Sequence, residues 1–371
     1  MKILFVVWNF YPNTAYTNHT KATVRGMCES GCVVDVLSIK PLVTKENMCI
    51  RGQFTGRSLL ATAFGTLWDF LVLAVSIKKY DVVYCACSDL RVIKISQKIA
   101  RQNHIPIIHE RTEFPDIFYS NDKKGEKALS KYLSRVALFD KVFVISNPIR
   151  DYFISNGVAS DKLVIYPMIV DPGRFKGLEK RNVGYRYMAY CGNLSNSKDG
   201  VADLIESFGL STSKKTHKLM LIGAKPSDAE MSIYNDIIAK YNIHDCVIFR
   251  GQVERDEMPQ LLLDADVLLL CRPDNRQALG GFPTKLGEYL STGNPVLVTR
   301  VGDIDKYIID GKNGFLSEPG NVVRFSNKMN EIVDNYSLAK KVGECGRELV
   351  MDAFNYKVQA QKVVDIIKEL I

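Results

Sequence analysis

Short apolar runs alternate with longer stretches of helical periodicity along the whole chain. One series of runs falls at 3–7, 33–38, 82–85, 105–109, 141–145 and 162–166. A second falls at 187–190, 219–222, 247–250, 267–270, 295–299 and 314–316. Runs this short and uniformly apolar predict strands buried on both faces, and the helical spacers predict parallel pairing through strand–helix–strand crossovers. Six strands, a break and six more predict two doubly wound α/β domains in tandem. The 371 residues are too many for one ordinary core and about right for two. The opening "MKILFVVWNFYP" reads as a buried first strand rather than a signal peptide.

The break is "DPGRFKGLEKRNVGY", residues 171–185, rich in Gly, Pro and charge and lacking apolar periodicity. It divides the chain into a first domain at 1–170, a linker at 171–185 and a second domain at 186–354. A last helix at 355–371 repeats Val358, Val363, Val364, Ile367 and Leu370 at helical spacing.

Composition narrows the partners. Nine cysteines and five histidines are scattered without metal-ligand spacing, so no metal site is expected and the thiols read as reduced, in a cytoplasmic protein. The net charge of +8 lies wholly in residues 1–170, where 22 Lys and Arg face 14 Asp and Glu; residues 171–371 balance at 27 each. A basic first half suits an anionic membrane surface or a phosphorylated substrate, or is simply a solvated face. Nucleic acid is disfavoured because the basic residues are not interleaved with aromatics in one stretch.

The stretch 59–77, "LLATAFGTLWDFLVLAVSI", approaches the length of a membrane span. Asp69 near its middle, and its direct run into the strand at 82–85, favour a buried or half-buried helix. A helix lying on the membrane surface comes second and a true span last.

The chemistry concentrates in "GGFPTKLGEYLSTG", residues 280–293, which follows the strand at 267–270. Ligands of open parallel sheets bind beyond the carboxyl ends of strands. Gly280 and Gly281 permit close approach of a ligand to the backbone. Phe282 precedes Pro283, which suits the first helical position, and Gly293 suits the stop. The helix start at Thr284 offers unpaired N–H groups and a partial positive charge to a phosphate. Lys285 adds a full charge. Glu288, one turn on, can accept hydrogen bonds from two neighbouring hydroxyls, as a ribose presents them. A surface helix with a routine Lys–Glu pair is the competing reading of this segment alone.

Two further loops add weight. "AYCGNLSNSKDGVADLIESF" is a strand ending in glycine, then a polar loop carrying Lys198, then an amphipathic helix, again suited to phosphate. "DCVIFRGQV" ends a strand in an Arg250–Gly251 turn that could expose backbone groups to a flat base.

In the order of these segments, with "VIFRGQVERDEMPQLLLDADVLLL" and "DKVFVISNPIRDYFISNGVASDKLVIYPMIVDPGRF", the chain resembles the family 4 retaining glycosyltransferases, glycosyl transferases group 1. The resemblance implies the GT-B fold, two doubly wound Rossmann-like domains facing a central cleft, with a last helix crossing back to the first domain. It implies a nucleotide-diphosphate-sugar donor, UDP or GDP sugar, on the second domain and a saccharide or lipid-linked acceptor on the first. It also implies transfer with retention of configuration and no required cofactor or metal, in cell-surface polysaccharide biosynthesis at the inner membrane face.

Carried over by position, Glu288 matches the family's ribose-binding glutamate and Lys198 the lysine that neutralises the diphosphate. Gly192 and Asn193 stand where the phosphates pass, and Arg250, Gly251, Gln252 and Val253 where the base is held. His109 matches a donor-side histidine whose ring or carbonyl lies by the reacting sugar. Tyr16, Thr17, Glu110, Arg111 and Glu113 fall on the acceptor side, although Glu110 and Glu113 could equally form salt links with Arg111.

The chain departs from the pattern in several places. Gly280 replaces the first glutamate of the family's pair, Asn193 a usual arginine, and "NTAYTNHT" a glycine pair after the first strand. Pro283 removes an amide that commonly faces the ligand, and Lys285 would compensate. Two other readings stay open, an epimerase-type nucleotide-sugar enzyme and a non-catalytic nucleotide-sugar binder.

Overall fold

The apolar runs become strands, and the central ones of each sheet are buried on both faces. The computed structural model describes residues 1–8, 14–39, 50–51 and 77–371. Residues 59–76 of the long apolar stretch lie outside the described residues, and among the described ones no helix is long and apolar enough to cross a membrane.

The chain divides into two units. The first comprises Met1–Ile169 and Tyr356–Ile371, the second Val170–Asn355. The first holds a seven-stranded parallel sheet of β1 (Lys2–Val7), β2 (Val33–Ser38), β3 (Ile50–Arg51), β4 (Val82–Cys85), β5 (Ile107–Arg111), β6 (Lys141–Val144) and β7 (Leu163–Ile165). Its order is β3-β2-β1-β4-β5-β6-β7, so the winding reverses between β1 and β4. Two departures from the sequence reading exceed one residue. β3 is a two-residue edge strand with no apolar run to announce it. β5 starts and ends two residues later than expected, because Glu110 and Arg111 are strand residues despite their charge and are buried.

The core of this unit includes Ile3, Phe5, Val36, Tyr84, Phe143 and Tyr166, closed by the helix Tyr356–Lys368 through Ala360, Val363, Val364 and Ile367. That helix lies on the helix Ala15–Glu29 at Gly26, where a Cβ would stand 2.5 Å from the Ala360 Cβ and 2.9 Å from the Tyr356 carbonyl oxygen. Only a bare backbone allows this approach.

The second unit holds a six-stranded parallel sheet of β8 (Tyr187–Cys191), β9 (Lys218–Ile222), β10 (Val247–Gly251), β11 (Val267–Leu270), β12 (Val296–Thr299) and β13 (Phe315–Ser317). Its order is β10-β9-β8-β11-β12-β13, which reverses between β8 and β11. β8, β11 and β12 are almost wholly buried, as a parallel sheet covered on both faces requires.

Residues 171–185 are held to this second unit. Arg181 donates to Asp264 Oδ2 at 2.7 Å and Lys180 to Asp266 Oδ1 at 2.8 Å. Arg250 and Gly251 end β10 instead of forming a separate turn, with a register irregularity between Phe249 and Gly251.

Candidate functional site

The reversal between β8 and β11 is where an open sheet of this kind leaves a crevice at its carboxyl end. Here the loop after β8 crosses the end of β11. Gly200 sits at φ +60°, with its missing Cβ position 2.2 Å from the Cys271 carbonyl oxygen. At the end of β8, Gly192 adopts φ +153°, and a Cβ there would stand 2.2 Å from the Lys285 Nζ. The backbone angle favours glycine, and a side chain there would push the Lys285 ammonium out of its place.

Lys285 enters from the first turn of the helix Thr284–Ser291. Its Nζ donates to Asp199 Oδ2 at 2.5 Å and to the Tyr190 hydroxyl at 3.0 Å. The Tyr190 hydroxyl in turn donates to Asp199 Oδ2 at 2.8 Å. Arg272, buried, reaches Asp199 Oδ1 at 3.8 Å and donates to the Gly281 carbonyl at 2.9 Å. Burial opposes the charge on Asp199, but the Lys285 ammonium and the hydrogen bonds from Lys285 and Tyr190 outweigh it and hold the carboxyl below its ordinary value. The result is an anchored lysine whose side chain is 16% exposed, enough to meet an anion.

Glu288, one turn further along the helix, is ion-paired through Oε1 to Nη1 of Arg174. Arg174 also donates from Nη2 to the Arg255 carbonyl at 2.5 Å. Lys198 lies half-buried in the short helix Asn196–Asp199, beside the carboxylate that Lys285 uses.

Several expected site residues have other surroundings. Pro283 is the residue before the helix, with extended backbone, rather than its first helical residue. Gly280 is buried at the end of the short helix Arg276–Gly280. Gly281 has an ordinary negative φ of −83°. Its smallness answers to crowding, with the Gln277 carbonyl oxygen 3.1 Å from a would-be Cβ. Phe282 points into the core against Tyr307 and Phe354, at ring distances of 5.3 and 5.6 Å. Asn193, Arg250 and Gln252 are exposed, and Val253 is half-buried. Arg250 lines a depression with Arg181, Glu257, Gln260 and Leu261 that includes neither Lys285 nor Glu288.

The first unit carries its own polar cluster. The His109 ring is fully enclosed, donating from Nδ1 to the Cys85 carbonyl at 2.8 Å and lying 2.7 Å from the Tyr132 hydroxyl at Nε2. A carbonyl can only accept, which places the proton on Nδ1 and makes Nε2 the acceptor from Tyr132. Burial lowers its pKa to about 4. Both ring nitrogens are thus occupied by hydrogen bonds within the fold.

Glu110 is not salt-linked to Arg111. Its Oε1 lies 2.5 Å from His19 Nε2, and its Oε2 accepts from the Tyr84 hydroxyl at 2.8 Å. Burial works against the Glu110 charge, and His19 and Tyr84 reverse that effect and lower its pKa. Arg111 donates from Nε to the Glu113 carbonyl at 2.9 Å, and stacks over Phe118 at 4.8 Å. The Tyr16 hydroxyl donates to the Ala86 carbonyl at 2.9 Å, and Thr17 is buried in the first turn of its helix.

His19, Asp199, Tyr190, Arg272 and Arg174 were not singled out from sequence. For Asp199 a signal was present, since it adjoins Lys198 in the "SKDG" loop.

Comparison with known proteins adds an independent line. The family model described as glycosyl transferases group 1 matches residues 175–349. The N-acetyl-alpha-D-glucosaminyl L-malate synthase of Bacillus anthracis is 27% identical over 164 residues, 44% of this chain and 39% of that protein. The alpha-1,3/1,6-mannosyltransferase ALG2 of Dictyostelium discoideum is 28% identical over 148 residues, 40% and 34% of the two chains. These alignments therefore span well under half of each relative. Anabaena HepE, crystallised in complex with UDP, superposes with a TM-score of 0.75 at 16% identity over 100% of both chains. The architecture is the GT-B one, two Rossmann-like units.

Proposed function

We propose that the chain, whose residues 175–349 match the model of the glycosyl transferases group 1, is a member of that family and transfers a sugar from a nucleotide-diphosphate-sugar donor to a saccharide or lipid-linked acceptor. The observation that carries this reading is Lys285, held by Asp199 and Tyr190 against the bare backbone of Gly192. A fixed ammonium beside an open main chain suits a diphosphate, and Anabaena HepE has been crystallised with UDP. UDP and GDP sugars are the donor candidates.

In the proposed mechanism the bond between anomeric carbon and phosphate breaks, and negative charge grows on the leaving diphosphate. Lys285, Lys198 and the N–H groups at Thr284 stabilise that charge. Their orientation is set before reaction, so little reorganisation is needed. The acceptor hydroxyl attacks from the same face and gives its proton to the departing phosphate, with retention of configuration and no obligatory metal. Glu288 accepts the ribose hydroxyls. The first unit binds the acceptor near Tyr16, Arg111 and Glu113, while His109 and Glu110 serve as fixed internal structure. The cell-surface polysaccharide role and the contact with an anionic inner membrane face belong to the same proposal. Exposed Lys123, Lys124, Lys127 and Lys131 on the helix Lys123–Val136 support the membrane contact.

Calorimetric titration with UDP and GDP, followed by product analysis by NMR on a panel of acceptors, tests the reading. One diphosphate should bind and the new glycosidic bond should keep the donor's anomeric configuration. Absence of binding to either nucleotide would sink it. Gly280, which leaves no carboxylate at the first position of the family's glutamate pair, favours one second reading, a nucleotide-sugar binder without turnover. Tight donor binding with no transfer to any acceptor would select it.

A further inference from the structure

Arg174 stands 114 residues before Glu288 in the sequence and meets it in space. It projects from the turn Pro172–Phe175, which Asp171 locks by accepting from the Gly173 N–H at 2.9 Å. One guanidinium nitrogen holds Glu288 Oε1 and another holds the Arg255 carbonyl, four residues past the end of β10. The two side chains are 16% and 28% exposed, so the pair is largely shielded but not sealed.

We infer that Arg174 is a positioning residue for the donor's ribose, fixing the Glu288 carboxylate and tying it to the loop that follows β10. The inference rests on the reading of Glu288 as the ribose acceptor given above. An unrestrained glutamate loses side-chain freedom when a ligand orders it, and Arg174 imposes that order beforehand. The planar fork of arginine can grip a carboxylate and a carbonyl at once, which a lysine ammonium does with less definition. Arg174 engages Oε1 alone, and Oε2 has no protein donor among the described residues. Each carboxylate oxygen carries two acceptor sites, so both can still take a ribose hydroxyl. A single side chain thereby sets the distance between the ribose carboxylate and the backbone beside the expected base loop.

The test compares whichever of UDP and GDP binds with its 2′,3′-dideoxy analogue, by calorimetry, on wild type, Glu288→Ala, Arg174→Ala and Arg174→Lys. Wild type should prefer the ribonucleotide, and Glu288→Ala should abolish the preference. Arg174→Ala should lower ribonucleotide affinity by about fivefold to tenfold, the scale of one hydrogen bond, with dideoxy affinity unchanged. Arg174→Lys should recover part of the loss, and it separates positioning from misfolding. A full ribose preference in Arg174→Ala overturns the inference, as does an equal loss for both nucleotides. A wild type that binds neither nucleotide overturns the site reading itself, and with it this role. A wild type that binds without preferring ribose removes Glu288's role and leaves the diphosphate site standing.

Discussion

Each sheet reverses its strand order once, and the two reversals are furnished differently. Over the β1/β4 reversal, Tyr16 donates to Ala86 and His109 to Cys85, and the buried carboxylate of Glu110 is met by His19. Burial pushes the hydroxyls of Tyr16 and Tyr84 well above their ordinary pKa, so both stay neutral donors. Over the β8/β11 reversal, the buried carboxylate of Asp199 is met by Lys285, with Arg272 behind it. The same winding thus carries a carboxylate met by one histidine in the first unit and a carboxylate met by a lysine and an arginine in the second. The extra cation is what suits the second cluster to the diphosphate of the proposed function.

The largest effect that tests this contrast is on stability. Asp199→Ala takes the shared carboxylate from both Lys285 and Arg272, and should cost about 3–5 kcal/mol. Glu110→Ala leaves the His19 ring and the Tyr84 hydroxyl without their acceptor, and should cost about 1–3 kcal/mol. Denaturant unfolding of both variants, with hydrogen exchange to assign the unit affected, measures the difference. Equal costs would erase the distinction.

Next comes catalysis. Lys285→Ala should lower kcat by about 10²–10³-fold, the range for removing one electrostatic stabiliser. It should weaken nucleoside diphosphate binding far more than nucleoside binding, as paired titrations would reveal. Equal losses would assign Lys285 to structure alone.

A smaller effect is common to both units. His109 in the first and His217 in the second are each lowered to about 4, chiefly by burial. Between the ordinary histidine value near 6.5 and 4, the unfolded chain takes up protons that the folded chain refuses. Stability should therefore fall as pH drops through that window, by up to about 1.4 kcal/mol per pH unit for each histidine. His109→Gln and His217→Gln should each remove one share of the slope, measured by unfolding at pH 7 and pH 5. The smallest effect is expected at half-buried Lys198, where an alanine should cost about tenfold or less in kcat, since solvent screens a partly exposed charge. A loss larger than that of Lys285→Ala would exchange the roles of the two lysines.

The strands were legible because a parallel sheet covered on both faces demands unbroken apolar runs, as in β8, β11 and β12. β5 was displaced because Glu110 and Arg111 look like loop residues until His19, Ser88 and Glu113 are seen to partner them. At the candidate site, the lysine, glycine and glutamate could be read locally because they cluster within a few residues. Their partners could not. Asp199 lies 86 residues from Lys285, Arg174 114 from Glu288 and His19 91 from Glu110. No periodicity connects such positions, and a segment like 171–185, with no apolar pattern, reads as a linker until Arg174, Lys180 and Arg181 find their carboxylates.

The first unit is assembled from both sides of the second, with Tyr356–Lys368 closing its core against Gly26. On the ribosome this imposes a timetable. The residues up to Ile169 are made before the helix that covers Phe5 and Val36, with the whole of Val170–Asn355 synthesised in between. The core begun first is therefore completed only when the last helix has been made.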